Sequence, residues 1–202
     1  MNDDEGRRHK RDRPGERESS SGRSFSLSQL TIEPYQPSQH SRSAFRCGNA
    51  MLDDWLKKRA KQHQKNNLSK TYVLVDSQLE AEDGVKDIFG YYCLSNHAVR
   101  YETLPEDQRK GLPSTFQMPT ALIGRLAVDS RFHRQKLGQR LLIDAAKNVL
   151  NLTGRIGIHA LEVDAIDENA VAFYKAYDFV PLQDRPTHLI LPMKTIKRWF
   201  TD

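Results

Sequence analysis

Residues 121–150 constrain the fold more than any other part of this 202-residue chain. Residues 121–128 (ALIGRLAV) form an almost unbroken apolar run of strand length, the pattern of a strand buried on both faces. A short polar loop follows. From 137 to 150 the apolar residues Leu137, Leu141, Leu142, Ala145, Ala146, Val149 and Leu150 recur at helical spacing. A buried strand feeding a helix calls for a βα unit, and so for a sheet that is at least partly parallel and covered by helices. The rest of the chain alternates in the same way. Strands are predicted at 71–75, 88–94, 158–163 and 188–193, and a short helix at 169–177. Another helix follows a turn at 45–49, with Leu52, Trp55, Leu56 and Ala60 on one face and Asp53 and Asp54 in its first turn, where the helix dipole favours them. The class is α/β.

Composition bounds what surrounds that core. Residues 1–24 hold seven Lys/Arg, six Asp/Glu and no apolar residue but Met1. A stretch that buries nothing cannot offset its ordering entropy, so a disordered mixed-charge tail is expected there, with one domain over 25–202. The tail lacks the apolar segment of a secretory signal and is too acidic for a transit peptide, which points to a cytoplasmic protein. The chain has no apolar run long enough for a membrane span. Two cysteines, Cys47 and Cys93, supply neither a disulfide framework nor a thiolate zinc site, and both read as small buried hydrophobes. His97, His133, His159 and His188 show no metal-ligand spacing, so no metal is predicted. No repeat is present. Residues 102–119, with three prolines, form a connection long enough to suggest a function.

The net charge is +5, of which only one unit belongs to the tail. Part of the rest lies on the first helix, where Lys57, Lys61 and Lys65 are four residues apart: a solvated face, or a phosphate track. Another part lies at 131–140, between the buried strand and its helix. A helix start offers unpaired N–H groups and a positive dipole end, and so can hold a pyrophosphate, although any βα unit with a basic loop looks similar. Tyr174, in the run 172–177 (AFYKAY), reads on spacing alone as an aromatic of the core rather than as a catalytic group.

Several pieces together go further. FRCGN (45–49) with LDDWL (52–56), GYY (90–92), GRLAVD (124–129), Leu137-Gly138 with Leu141-Leu142, and Ala172-Phe-Tyr174 occur in order and at the right spacing. The chain thereby resembles the GNAT acetyltransferases over roughly residues 30–195, and more closely the tRNA-acetylating toxins of bacterial toxin–antitoxin modules. The GNAT phosphate motif, Gln/Arg-x-x-Gly-x-Gly/Ala, falls on His133, Lys136 and Gly138 when counted from both flanks. It thus departs from the pattern at its first two positions. A shifted register on Gln135 and Gly138 places Arg140 at a position that wants a small residue. In the unshifted register an ordinary φ at Lys136 leaves its ammonium free to contact phosphate.

The resemblance implies a mixed central sheet splayed near residue 128, acetyl-CoA as co-substrate and no metal. His133, Arg134, Gln135, Lys136, Leu137, Gly138 and Gln139 would clamp the pyrophosphate, with Asn169 as a further cofactor contact. The backbone of Leu126, Ala127 and Val128 would pair with the pantetheine arm, the Val128 amide facing the thioester oxygen. Tyr174 would protonate the departing thiolate. Arg125 would line the acceptor side, or else pair with Asp129. No general base stands out, which favours an acceptor α-amine of low basicity such as that of aminoacyl-tRNA. The implied partners are aminoacyl-tRNA, met by Lys57, Lys61 and Lys65, a ribbon-helix-helix antitoxin and a second copy in a homodimer. Two alternatives stay open: acetylation of a protein or small-molecule amine, and a degenerate, non-catalytic binding module.

Overall fold

A computed structural model describes residues 29–78 and 84–201. The tail assigned to residues 1–24 lies outside the described residues. Among the described residues nine strands and six α-helices follow one another as β1 (Leu30–Pro34), β2 (His40–Ser41), α1 (Ala50–Lys58), α2 (Ala60–Lys65), β3 (Lys70–Asp76), β4 (Lys86–Asp87), β5 (Gly90–Val99), α3 (Glu106–Arg109), β6 (Met118–Val128), α4 (Leu137–Leu152), β7 (Ala160–Asp164), α5 (Glu168–Lys175), β8 (Val180–Pro181), β9 (His188–Pro192) and α6 (Met193–Trp199). Seven strands form one sheet in the order β1-β3-β5-β6-β7-β9-β8, and β2 pairs with β4 apart from it. The predicted βα unit supplies the one parallel pair of that sheet, β6 with β7; its other neighbours are antiparallel.

Side-chain alternation divides the core between the two faces. On one face α4 lays Leu137, Leu141, Leu142, Ala145, Ala146 and Val149 on β5, β6 and β7, joined by Tyr174 of α5 and Ile196 of α6. On the other, Trp55, Leu56 and Ala60 of α1 and α2 cover Val73, Val75, Tyr91, Cys93 and Ala127. Lower on that second face, Val99, Leu104, Met118, Ala160 and Ile190 form a smaller cluster.

The 102–119 connection is less loop-like than its prolines suggest. It carries a 3-10 turn (Tyr101–Thr103) and α3, buries Leu104, and is tied down by Arg109 donating to the Leu104 and Glu102 carbonyls. Its contacts are those of a cover over the sheet. The basic helix is also not one continuous stripe. It breaks at Arg59, where φ is −118°, so Lys57 lies on α1 and Lys61 and Lys65 on α2.

Candidate active site

The site begins where β6 leaves β7. The two strands pair only from Thr120 with Ala160 to Ile123 with Val163. At Gly124 the β5–β6 register slips by one residue, since Cys93 faces Arg125 while Leu94 faces Ile123. An extra residue on one strand bends it and increases its twist. Beyond this bulge β6 keeps only its β5 neighbour, from Arg125 to Val128. The Asp129 amide donates to the Phe89 carbonyl across that pair. Backbone groups alternate along an antiparallel strand, so those of Ala127 also face β5, whereas those of Leu126 and Val128 point to the free edge. A cleft bordered by an open strand edge results, and Ala127 contributes no backbone group to it.

One end of this edge runs into the phosphate-type loop. The buried Asp129 carboxylate accepts from the amides of Arg46 and Arg131 and from the Arg131 guanidinium at 2.9 and 3.0 Å. Arg125 therefore does not pair with Asp129: that carboxylate is taken by Arg131. His133 folds back, its Nε2 2.9 Å from the Val128 carbonyl. Arg134 and Lys136 then both adopt left-handed backbone, φ +61° and +59°. The ordinary φ expected at Lys136 is not found. This is the position where the motif asks for glycine, and the chain keeps glycine's conformation without its freedom from strain.

Leu137 opens α4, the longest helix among the described residues. The α1 start is capped by Asn49 and that of α5 by Asp167, but no side chain caps α4, whose first-turn amides stay open toward the loop. Gly138 faces Phe173 and Val128. Val128, Phe132, His133, Gly138, Phe173 and Tyr177 are among the residues lining a concavity of about 350 Å³ there, and Arg134, Lys136 and Gln139 edge it. Gln135 lies on the outer side of the loop, with Arg140 and Ile143. Open amides, a positive dipole end and basic side chains fit a pyrophosphate. A larger hollow of about 1130 Å³ lies between the end of α5, β8 and α6, wide open to solvent, so size does not mark the site.

The other end of the edge is closed by α5. Tyr174 is buried edge-on against Phe173 and tilted against Phe179, both at 5.2 Å. Burial, reinforced by the nearby Cys93 sulfur, pushes its hydroxyl well above the ordinary phenol range, so it holds its proton at neutral pH. Asn169 is exposed in the first turn of α5, beyond the end of β7.

Arg125 points to the opposite face of the sheet. Its guanidinium lies 4.9 Å over the Trp55 ring, and Trp55 stacks in turn on Tyr91 at 5.8 Å and 9°. It also reaches the Cys93 sulfur, whose thiol burial pushes up to about 11. Lys61 and Lys65 are exposed and Lys57 half-buried on the helices above this face.

One polar group escaped the sequence reading. Glu162 of β7 is buried and accepts from Thr120, His97 and His188, while His188 also meets Asp184 at 2.8 Å. These residues come from β5, β6, β7, β9 and the loop before β9, so no sequence spacing relates them. Among the described residues no group of three or more His, Cys, Asp or Glu has an arrangement that could hold a metal, and no helix is long and apolar enough to cross a membrane.

Comparison with known proteins agrees with this architecture. The family model described as "Acetyltransferase (GNAT) domain" matches residues 104–189. A probable toxin TacT of Sinorhizobium fredii is 31% identical over 173 residues, 82% of this chain and 92% of the relative. A tRNA-acetylating toxin of Mycobacterium tuberculosis is 32% identical over 160 residues, covering 79% and 90%. Among solved structures, a tyrosine-to-phenylalanine mutant of KacT superposes with a TM-score of 0.78 at 30% identity, covering 85% of this chain and 99% of KacT. AtaT complexed with acetyl-methionyl-tRNAfMet gives 0.77 at 28%, with the same coverage. A mutant AtaT bound to acetyl-CoA and the C-terminus of the antitoxin AtaR gives 0.73 at 26%, covering 86% and 99%.

Proposed function

The chain belongs to the GNAT acetyltransferases, and from that premise we propose that it uses acetyl-CoA to acetylate the α-amine of aminoacyl-tRNA, acting as a toxin that blocks translation. It works in the cytoplasm and is held in check by a ribbon-helix-helix antitoxin. The relatives that act on tRNA, and the solved ones bound to acetyl-CoA, to acetylated tRNA and to an antitoxin, support this reading.

Acetyl-CoA, when bound, supplies an acetyl group activated as a thioester. The open amides of Leu137, Gly138 and Gln139, with Arg134 and Lys136, bind its pyrophosphate. The free edge of β6 at Leu126 and Val128 receives the pantetheine arm as an added strand. Tyr174 lies in the field of Cys93, and Cys93 faces Arg125 across the sheet. The amide that serves the thioester oxygen beside Tyr174 is therefore that of Leu126. Val128, about 7 Å further along the strand, sits at the phosphate end. The reaction joins the amine nitrogen to the acetyl carbon and releases coenzyme A as a thiol. Tyr174 gives its proton to the sulfur and regains the one the nitrogen loses.

The observation that carries this reading is the parting of β6 from β7 after Ile123, with the uncapped start of α4 at one end of the exposed edge and Tyr174 at the other. Incubating the full chain with acetyl-CoA and charged bulk tRNA tests it. Wild type acetylates the aminoacyl-tRNA. Tyr174→Phe does so about 100-fold more slowly while binding acetyl-CoA with similar affinity by calorimetry. Charged tRNA left untouched while a protein or polyamine is acetylated refutes the acceptor. Absence of acetyl-CoA binding leaves only a non-catalytic module.

A further inference from the structure

The open hollow between the end of α5, β8 and α6, about 1130 Å³ against about 350 Å³ beside the phosphate loop, carries charge of mostly one sign. Lys175, Lys194 and Arg198, all exposed, line it against a single acid, Asp178. None of the three cations makes an ion pair among the described residues; Arg198 donates to the Thr195 hydroxyl at 3.3 Å. α6 adds Lys197 and no Asp or Glu, so four cations against one carboxylate leave a net of +3. On the opposite rim, where Gln108 reaches the hollow, Glu106 and Asp107 are balanced by Arg109 and Lys110. The charge of Lys194 is felt at His159, whose imidazole is pushed below its ordinary range by burial and, after it, by this ammonium.

Exposed, unpaired cations around an open hollow favour a ligand with many negative charges over one small anion, since every phosphate neutralised releases counterions. Lysine meets a phosphate as a point charge, arginine as a fork of donors. Trp199, half-buried in the wall, adds an aromatic face of the kind on which bases stack. A protein partner fits less well. Lysine is depleted at protein interfaces, and the exposed large hydrophobic side chains of the described residues, such as Leu68, Phe116 and Ile156, all lie elsewhere. The hollow also starts beside the chemistry. Phe179 lines it and packs tilted on Tyr174, the ring centroids 5.2 Å apart, and Lys175 is the next residue of α5.

We propose that this hollow is a track for the phosphate backbone of RNA, in which Lys175, Lys194 and Arg198 hold the body of the acceptor while its aminoacyl end meets the cleft at Tyr174. The identity of that acceptor rests on the aminoacyl-tRNA reading above. The three cations act on binding and not on the acetyl transfer itself, so an acceptor without a phosphate backbone does not use them.

The test compares the full chain with the triple variant Lys175→Gln, Lys194→Gln, Arg198→Gln, its folding checked by acetyl-CoA calorimetry. Charged bulk tRNA and an amino-acid methyl ester serve as acceptors at saturating acetyl-CoA. Binding of deacylated bulk tRNA and of polyglutamate is followed by fluorescence anisotropy between about 50 and 200 mM salt. The variant loses about tenfold or more in kcat/KM for charged tRNA, through KM, and keeps its rate on the methyl ester. The slope of log affinity for tRNA against log salt becomes shallower by about two, each phosphate contact contributing about 0.7–0.9. An equal loss on both acceptors would place the three side chains in the fold or the chemistry and overturns the proposal. So does tRNA affinity that the variant leaves unchanged. Polyglutamate bound by wild type more tightly than tRNA overturns it too, and assigns the hollow to an acidic protein segment. If wild type acetylates neither acceptor yet binds tRNA through these cations, the acyl-transfer reading fails and the RNA track stands. If wild type and variant acetylate charged tRNA equally well, the track fails alone.

Discussion

The imidazole Nε2 of His133 lies 2.9 Å from the carbonyl oxygen of Val128. Facing a carbonyl, that nitrogen is the one that carries the ring proton. A single hydrogen bond thus folds the phosphate loop back over the end of β6, at the position where the family motif has Gln or Arg. Its net worth is about 0.5–1.5 kcal/mol, so His133→Ala raises the Kd for acetyl-CoA roughly two- to tenfold. His133→Gln, whose amide can donate to the same carbonyl, recovers at least half of that loss. Calorimetric titration separates the three proteins. Equal affinity for wild type and His133→Ala would mean that other contacts hold the loop.

Lys136 stores strain. A non-glycine residue in left-handed backbone costs on the order of 1 kcal/mol, and Lys136 and Arg134 both adopt it within one four-residue loop. Lys136→Gly removes the Cβ penalty, partly offset by the greater freedom of glycine in the unfolded chain, and raises unfolding stability by about 0.5 kcal/mol. Lys136→Val, β-branched where φ is positive, lowers it by about 1 kcal/mol or more. Urea midpoints at pH 7 provide the comparison. A Gly variant less stable than wild type would show that the ammonium, not the backbone, governs this position.

What the sequence revealed and what it concealed follow from the same physics. α1 and α4 were legible because their apolar stripes are long and the turn at Gly48 precedes a capping Asn49. The parallel β6–β7 pair was legible because a buried strand leading into a helix leaves few other arrangements. β1, β2 and β8 were not, because two- to five-residue strands at edges carry too little periodicity, and β1 ends in Glu33-Pro34. α6 was missed because it starts directly from β9, with no capping side chain to mark its first turn. In the site, the loop and Tyr174 were readable by resemblance alone. The Arg131–Asp129 pair competes with an equally reasonable Arg125–Asp129 pair, and strand alternation, which puts residues 125 and 129 on the same face, does not decide between them; the turn after β6 does, because it brings both the amide and the guanidinium of Arg131 onto the carboxylate while Arg125 lies over Trp55. The Glu162 cluster gathers residues up to about ninety positions apart, a relationship that local spacing cannot encode.

Asp129 anchors the exit of β6, and its stability effect has a definite sign. Burial pushes its carboxyl up, but hydrogen bonds from the Arg131 guanidinium and amide and the Arg46 amide outweigh burial and leave it below the ordinary 3.8. A depressed carboxylate stabilises the fold fully above its unfolded pKa and loses that contribution as pH falls through the folded value. Asp129→Asn keeps the shape but not the charge opposite Arg131, and costs about 2–3 kcal/mol at pH 7. The cost begins to shrink as pH falls below the ordinary 3.8 and is lost as pH passes through the lower folded value. Chemical denaturation at pH 7 and pH 3 reads the difference, and a penalty independent of pH would mean that the charge contributes nothing.

The buried Glu162–His188 pair opposes acid on one side and base on the other. For Glu162, burial raises the carboxyl, but hydrogen bonds from Thr120, His188 and His97 bring it below its ordinary 4.5. For His188, burial lowers the imidazolium, but Asp184 and Glu162 raise it above its ordinary 6.5. The Glu162 contribution is present above about pH 4.5 and fades as pH falls. The His188 contribution is complete below about pH 6.5 and fades as pH rises through the elevated folded value. The pair therefore stabilises the sheet most between those limits. Glu162→Gln removes the carboxylate from between two histidines and costs about 3 kcal/mol at pH 6, with a smaller penalty at pH 4 and at pH 8.5. Urea unfolding of wild type and Glu162→Gln at these three values tests the window. A penalty unchanged from pH 6 to 8.5 would mean that His188 is already neutral in the folded protein and that Glu162 acts only as a hydrogen-bond acceptor.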